Sequence, residues 1–296
     1  MILIVGSTGF LGNDICRRLI EGGKSVQAFV RRTSDPSKIE RLKTMGAEIV
    51  YGDLRDRASL DAACAGVDAV ISTATTTASR QPGDSIEATD RDGQLSLVEV
   101  AKKASVSRFI YVSYSRNIDS NGEPSPLTAA KRNVEDAVCA SGMAFTILRP
   151  SCFMEVWLSP ALGFDFPNGK ATLYGSGQSK VSWISLGDVA EFAVQSLDNP
   201  AAQNAMLELG GPEALSPLAA VKIFEDVSGK QFELSYVPVT ALQAQQAAAT
   251  DSLQQSFSAL MLSIAAGDSI EMRDVLQQFP IQLTSVKGYA VRVTKP

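Results

Sequence analysis

The chain has 296 residues and 31.5 kDa, enough for one large core or for a domain with a smaller companion. Its 27 basic and 32 acidic residues leave a net charge of −5 with no basic stripe, which removes electrostatic support for a nucleic-acid partner. Histidine is absent, so Ser-His-Asp and Cys-His machinery and the commonest metal ligand are excluded, and no metal is expected. Cys16, Cys64, Cys139 and Cys152 form no C-x-x-C pair and read as reduced, mostly buried thiols. No apolar run approaches a membrane span or carries the flanks of a signal peptide, so the chain reads as soluble and cytoplasmic, without a membrane partner.

The first twelve residues, MILIVGSTGFLG, carry the strongest pattern. Ile2, Leu3, Ile4 and Val5 predict a parallel strand covered on both faces. Gly6, Gly9 and Gly12 then stand three apart and open a helix with Leu11, Ile15 and Leu19 on one face. Glycine removes the Cβ that would keep a pyrophosphate from the loop amides, and the helix aims its positive end at the same place. A second strand over 25–30 follows, which is the context that a dinucleotide-binding turn requires. An NAD site would place an acid at the end of that strand; here stand Arg31 and Arg32. Arg31 is placed to take a 2′-phosphate bidentately, with Thr33 and Ser34 as helpers, while Arg32 is as readily a solvated surface residue. The reading is NADP(H) over NAD(H).

A polar helix over 35–45 and a strand over 47–51 lead to Gly52-Asp53-Leu54, beside the adenine. Asp53 reads equally as the cap of the helix that follows. A helix over 60–65, a strand over 67–72 and the small-residue run 73–79 come next, with Thr73, Ala74 and Thr75 at the ligand-facing end of a strand; a flexible polar loop is the alternative. One long helix is predicted over 86–104, with Asp90 and Asp92 early in it, and then a strand over 108–113. The stretch 114–126 reads as a loop too polar for core, followed by a helix over 127–141 and a strand over 144–148.

These repeats predict an α/β fold: a doubly wound parallel Rossmann sheet in 1–150, completed by 181–210, and a smaller α+β substrate-side domain in 151–180 and 211–296. Beyond residue 151, the cluster Phe153, Met154, Trp157, Leu158, Leu162, Phe164 and Phe166 suits either a core or the wall of a pocket. A loop and short strand over 175–184, a helix starting at Asp188, a strand over 206–209, a strand over 232–237 and the Ala/Gln-rich run 242–250 complete the reading. No catalytic cluster is recognisable in 212–296.

The order resembles the atypical short-chain dehydrogenases, and among them the NmrA-like group with its quinone-reductase and isoflavone-reductase relatives. The carriers are GSTGFLG at 6–12, Arg31, GDL at 52–54, YVS at 111–113, Lys131, LRP at 148–150 and ISLGDVAEF at 184–192. The resemblance implies NADP(H) bound by Gly6, Thr8, Gly9, Phe10, Leu11, Gly12, Arg31, Arg32, Asp53, Leu54, Thr73, Ala74, Thr75, Ser113, Lys131, Pro150, Cys152 and Phe153. It implies hydride transfer to a small electrophile, a quinone, carbonyl or activated double bond such as an enone. Lys131 is the first candidate for stabilising charge on the acceptor, and Ser113 and Tyr114 are candidate donors to substrate. Two departures stand out. Leu127 takes the place, four before Lys131, of the tyrosine acid of regular short-chain dehydrogenases, and Val156 follows Phe153-Met154-Glu155 where the group commonly has Asn. A quinone would tolerate the missing acid because its reduced form is a stabilised phenolate. The rival reading is a catalytically silent NADP(H) sensor acting through a protein partner; a partner-binding scaffold and a homodimer are further expectations.

Overall fold

In the computed structural model, residues 1–77, 80–120 and 124–294 are described; Ala78, Ser79 and the 121–123 part of the predicted loop lie outside them. The chain forms two compact units, one from Met1–Ser113, Ala129–Leu148 and Val189–Leu207, the other from Tyr114–Thr128, Arg149–Asp188 and Glu208–Pro296.

The first unit is built on a seven-stranded sheet in the order β3-β2-β1-β4-β5-β6-β9. Its strands are β1 (Ile2–Val5), β2 (Val26–Val30), β3 (Glu48–Tyr51), β4 (Ala69–Ser72), β5 (Arg108–Val112), β6 (Ala144–Pro150) and β9 (Ala205–Leu209). The pairs β1–β2, β2–β3, β1–β4, β4–β5 and β5–β6 are parallel. Strand order reverses beside β1, so loops after β1 and β4 flank the crevice where open α/β sheets take their ligands. Leu3, Val5, Val70, Phe109 and Tyr111 join Leu60, Leu97, Val98 and Val134 in the core between sheet and helices. This explains the apolar runs of β1, β4 and β5, which are buried along nearly their whole length.

The helices are α1 (Phe10–Glu21), α2 (Pro36–Met45), α3 (Arg57–Cys64), α4 (Gln94–Lys103), α5 (Pro126–Cys139) and α7 (Leu186–Gln195), the last beginning two residues before Asp188. Asp35 caps α2 by accepting from Ser37 N at 2.8 Å. α3 starts a turn earlier than predicted, and its cap is Asp56, which accepts from Ala58 N at 3.1 Å; Asp53 is not the cap. The long helix predicted over 86–104 is not uniform. It opens as a π-helix, Ile86–Gly93, before α4 begins. The wider turn lets Thr89, Asp90, Gly93 and Gln94 face inward, so the buried side here is polar and escapes an apolar-period reading.

The second unit holds a three-stranded sheet, β10-β8-β7, with β8 (Lys170–Tyr174) parallel to β10 (Glu233–Val237) and antiparallel to β7 (Phe164–Asp165). Around it lie α6 (Met154–Trp157), α8 (Pro217–Ser228), α9 (Val239–Ala248), α10 (Ser252–Ala266), α11 (Arg273–Gln278) and α12 (Val286–Thr294). Two sequence expectations fail here. The strand expected in 175–184 is only a set of isolated bridges, of Val181 with Leu215 and Asp268 and of Ile184 with Phe153, while β7 lies within the aromatic stretch and β8 just after it. The aromatic cluster is largely core: Met154, Trp157, Leu158 and Phe164 are buried, and the Phe164 ring meets Phe224 at 4.8 Å and Phe232 at 5.6 Å. Nor is 114–126 too polar for burial. Ser115 is fully buried because its hydroxyl donates to Asp268 Oδ1 at 2.7 Å, and Asn117 Nδ2 donates to the same oxygen at 2.8 Å. Among the described residues no helix is long and apolar enough to cross a membrane.

Candidate active site

In a parallel sheet every strand ends on the same edge. The loops after β1, β2, β3, β4 and β5 therefore bring Gly6, Arg31, Gly52-Asp53, Thr73 and Ser113 to one edge of the first unit. The glycines there serve different needs. Gly6 has φ +89°, and a Cβ on it would meet Thr73 Oγ1 at 2.6 Å and Ala74 N at 2.8 Å. A Cβ on Gly12 would sit 2.3 Å from Gly6 O. For these two the expectation that a pyrophosphate sets the residue is corrected: the chain's own backbone already requires glycine. Gly9 is the exception. Its added Cβ would meet only Gly6 O, at 3.2 Å, so the space beyond it is open. Gly9 is the N-cap of α1 and supplies no side-chain cap, which leaves first-turn N–H groups for an anion. Thr8 and Phe10 stand at the same turn, and Phe10 is 82% exposed. Leu11 and Leu54 point into the core, so only their backbone can meet a ligand.

The loop after β4 is fixed from behind. Thr73 N donates to Val5 O at 2.9 Å, and Gln94 bridges Ser72 Oγ and Ala74 O at 2.8 and 3.0 Å. Thr75 Oγ1 lies 3.3 Å from Thr77 Oγ1, and Thr76 donates from N and Oγ1 to Asp90 Oδ2 at 3.1 and 2.6 Å. These bonds hold residues 73–77.

At the end of β2, Arg31 Nη1 donates to Asp84 Oδ2 at 2.6 Å, and that carboxylate is 1% exposed. Arg55, which the sequence reading overlooked, lies beside it, holding Asp53 by Nε and Nη2 at 2.9 and 2.8 Å and reaching Asp84 at 3.5 Å. The Arg55 hydrogen bonds, with the cation's charge behind them, hold Asp53 below the usual carboxylate range. Arg32 stacks its guanidinium 5.1 Å from the centroid of Tyr51. Thr33 Oγ1 bonds Gln81 Oε1, and Gln81 Nε2 donates to Thr33 O at 3.2 Å.

Lys131 lies in the second turn of α5 rather than the first. It is 7% exposed, donates from Nζ to Val112 O at 3.2 Å and stands 5.3 Å from the Tyr111 ring centroid. Burial lowers its pKa, and the charges of Asp90 and Glu135 oppose that shift. Asp90 is the second site residue that the sequence reading passed over as merely early in a helix. It is 1% exposed, and its Oδ1 has no partner among the described residues. The signal available was an acid flanked by Thr89 and Gly93 in a stretch with no apolar stripe.

Ser113 departs from its expected role as a donor to substrate. Its hydroxyl donates to Glu135 and accepts from Arg132 Nη1 at 3.2 Å, so its proton is engaged within the first unit. Tyr114, Pro150, Cys152 and Phe153 fall in the second unit. There the Tyr114 hydroxyl and the Cys152 thiol are 3.5 Å apart. Burial raises Tyr114 well above the usual tyrosine value and Cys152 to about 12, and the Asp268 charge adds to both, so neither gives up a proton readily. Burial likewise lifts Cys16 to about 12 and Cys64 to about 11; all four cysteines are free thiols. Asp268, in the segment where no cluster was recognised, is buried, and its Oδ2 has no partner among the described residues. No metal-binding group of side chains occurs among the described residues.

Several known proteins are similar to this chain. The isoflavone reductase homolog IRL of Zea mays is 31% identical over 301 residues, covering 97% of this chain and 90% of the relative. An NAD(P)H azoreductase of Xenophilus azovorans is 31% identical over 269 residues, covering 90% and 86%. A solved NADPH-dependent quinone oxidoreductase of Escherichia coli, complexed with NADPH, superimposes with a TM-score of 0.77 at 20% identity and 99% coverage of both chains, a likeness of fold. The model of the NmrA-like family matches residues 1–279, and with it the chain belongs to the NmrA-like family.

Proposed function

We propose that the protein is an NADPH-dependent reductase of small, electron-poor molecules, with quinones and enones as the substrate class. The open side of Gly9 at an uncapped helix start suits a pyrophosphate, and Arg31 at the end of β2 suits a 2′-phosphate. The named reductases among the relatives support the same reading. Bound NADPH would supply the hydride.

The rest falls to the chain. α1 binds and orients through its first N–H groups, and Arg31 selects the phosphorylated adenosine. Lys131 is the observation that carries the proposal: a buried ammonium fixed to the end of β5 by Val112 O. An acceptor that takes a hydride becomes anionic, and a charge fixed in a dry site stabilises it without reorganising. The charges of Asp90 and Glu135 favour the protonated Nζ and oppose the pull of burial, which lowers its pKa. Leu127, where a tyrosine acid would stand, is buried and apolar, so the final proton comes from Nζ or water. This favours acceptors whose reduced oxygen is only weakly basic, as in a hydroquinone.

The test is purified protein with NADPH and a panel of quinones, enones and aldehydes, following loss of nicotinamide absorbance. Quinones should be consumed fastest and simple aldehydes slowest. Consumption no faster than in buffer for every acceptor would replace this reading with that of a cofactor-sensing regulator.

A further inference from the structure

Asp84 is a buried carboxylate for which the phosphate site as described has no use. It lies on the turn 81–84, where Gly83 has φ +84°, and four groups hold it. Oδ2 accepts from Arg31 Nη1 at 2.6 Å and from Gln81 N at 2.8 Å; Oδ1 meets Arg55 Nη1 and Thr89 Oγ1, both at 3.5 Å. The same turn is tied to the segment after β2 by Gln81 and Thr33, and Arg55 Nη1 donates to Pro82 O at 3.4 Å.

A guanidinium has two edges that can grip a pair of oxygens, Nη1/Nη2 and Nε/Nη2. Asp84 engages Arg31 through Nη1 and leaves the Nε/Nη2 edge whole; neither of those nitrogens has a partner among the described residues. We propose that Asp84 is the positioning residue for the adenosine 2′-phosphate: it locks Arg31 by one corner so that the opposite edge is presented to the ligand. This inference rests on the NADP(H) reading above.

Two opposite effects must be weighed. The Asp84 charge repels a phosphate, but it is fixed below the surface and engaged mainly by Arg31 at 2.6 Å, with Arg55, which also pairs with Asp53, at 3.5 Å. Without Asp84, the Arg31 side chain, 24% exposed, would spread over many rotamers and have to be ordered anew when the ligand binds. The charge is matched whether or not ligand is present, whereas the order bears only on binding, so positioning wins.

Calorimetry with 2′,5′-ADP and 5′-AMP isolates the adenosine end without requiring activity. Asp84→Ala should weaken 2′,5′-ADP about tenfold and leave 5′-AMP within about twofold. Asp84→Asn, which keeps the volume should the alanine variant fail to fold, should fall in between. In an Arg31→Gln background, Asp84→Ala should change nothing further. Unchanged or tighter 2′,5′-ADP binding in the folded variants, or equal loss for both ligands, would overturn the role given to Asp84. Wild-type protein that does not prefer 2′,5′-ADP would instead overturn the NADP(H) reading beneath it.

Discussion

Arg31 and Lys131 are cations on one edge of one sheet, yet the chain holds them differently. Arg31 is partly exposed and locked in a 2.6 Å ion pair with a buried carboxylate. Lys131 is buried, donates to a backbone carbonyl, and feels Asp90 and Glu135 as nearby charges. A fixed, always-charged fork is suited to recognising a ground-state ligand. A buried ammonium with a lowered pKa is suited to a charge that appears during a reaction. Under the proposed function the contrast divides labour: choice of cofactor at the end of β2, stabilisation of the acceptor at the end of β5.

The most severe perturbation expected lies in the glycine turn. Gly12→Ala would place a Cβ 2.3 Å from Gly6 O, backbone against backbone, where neither side can yield cheaply. The expected cost is about 3 kcal/mol or more, read as a lowered urea midpoint together with loss of nucleotide binding. Full stability in this variant would show that the turn can rearrange.

Next comes the β2 end. Arg31→Glu should weaken NADPH by about 100-fold while sparing NADH, because a charge-assisted contact worth about 1.5 to 3 kcal/mol becomes a repulsion. Although Arg31 lies outside the apolar core, this change would not leave the fold untouched. It would set two carboxylates against each other at the buried Asp84, so a lowered melting temperature should accompany the altered preference. A variant that loses the preference with no loss of stability would separate Arg31 from Asp84.

The smallest effect is one of pH. Lys131 must be charged to act, and burial lowers its pKa from the usual 10.5. Turnover should therefore decline as pH rises through a midpoint below 10.5, and Lys131→Arg, always charged, should lose that alkaline limb whatever its absolute rate. An identical limb in the arginine variant would assign it to another group.

The β1–α1 turn, the succession of parallel strands through β6 and the place of Arg31 at the end of β2 were legible because each is written in contiguous residues whose spacing has one structural meaning. The polar half of the site was not. Asp84 and Asp90 look like ordinary surface acids and Arg55 like a turn arginine until the fold buries the two carboxylates and sets Arg55, from a different loop, against Asp84. The π-helical opening of Ile86–Gly93 hid Asp90 further, since a wider turn breaks the 3.6-residue period on which helix reading depends. In the second unit, Ser115 and Asp268 are 153 positions apart, and neither signals burial without the other.

The central claim is that Lys131 acts on the acceptor rather than on the cofactor, and steady-state kinetics of Lys131→Ala with a quinone at saturating NADPH tests it most directly. The account predicts a fall in kcat of about 100-fold or more with NADPH affinity, measured separately, changed by less than about fivefold. Unchanged kcat, or a loss confined to NADPH affinity, would contradict it.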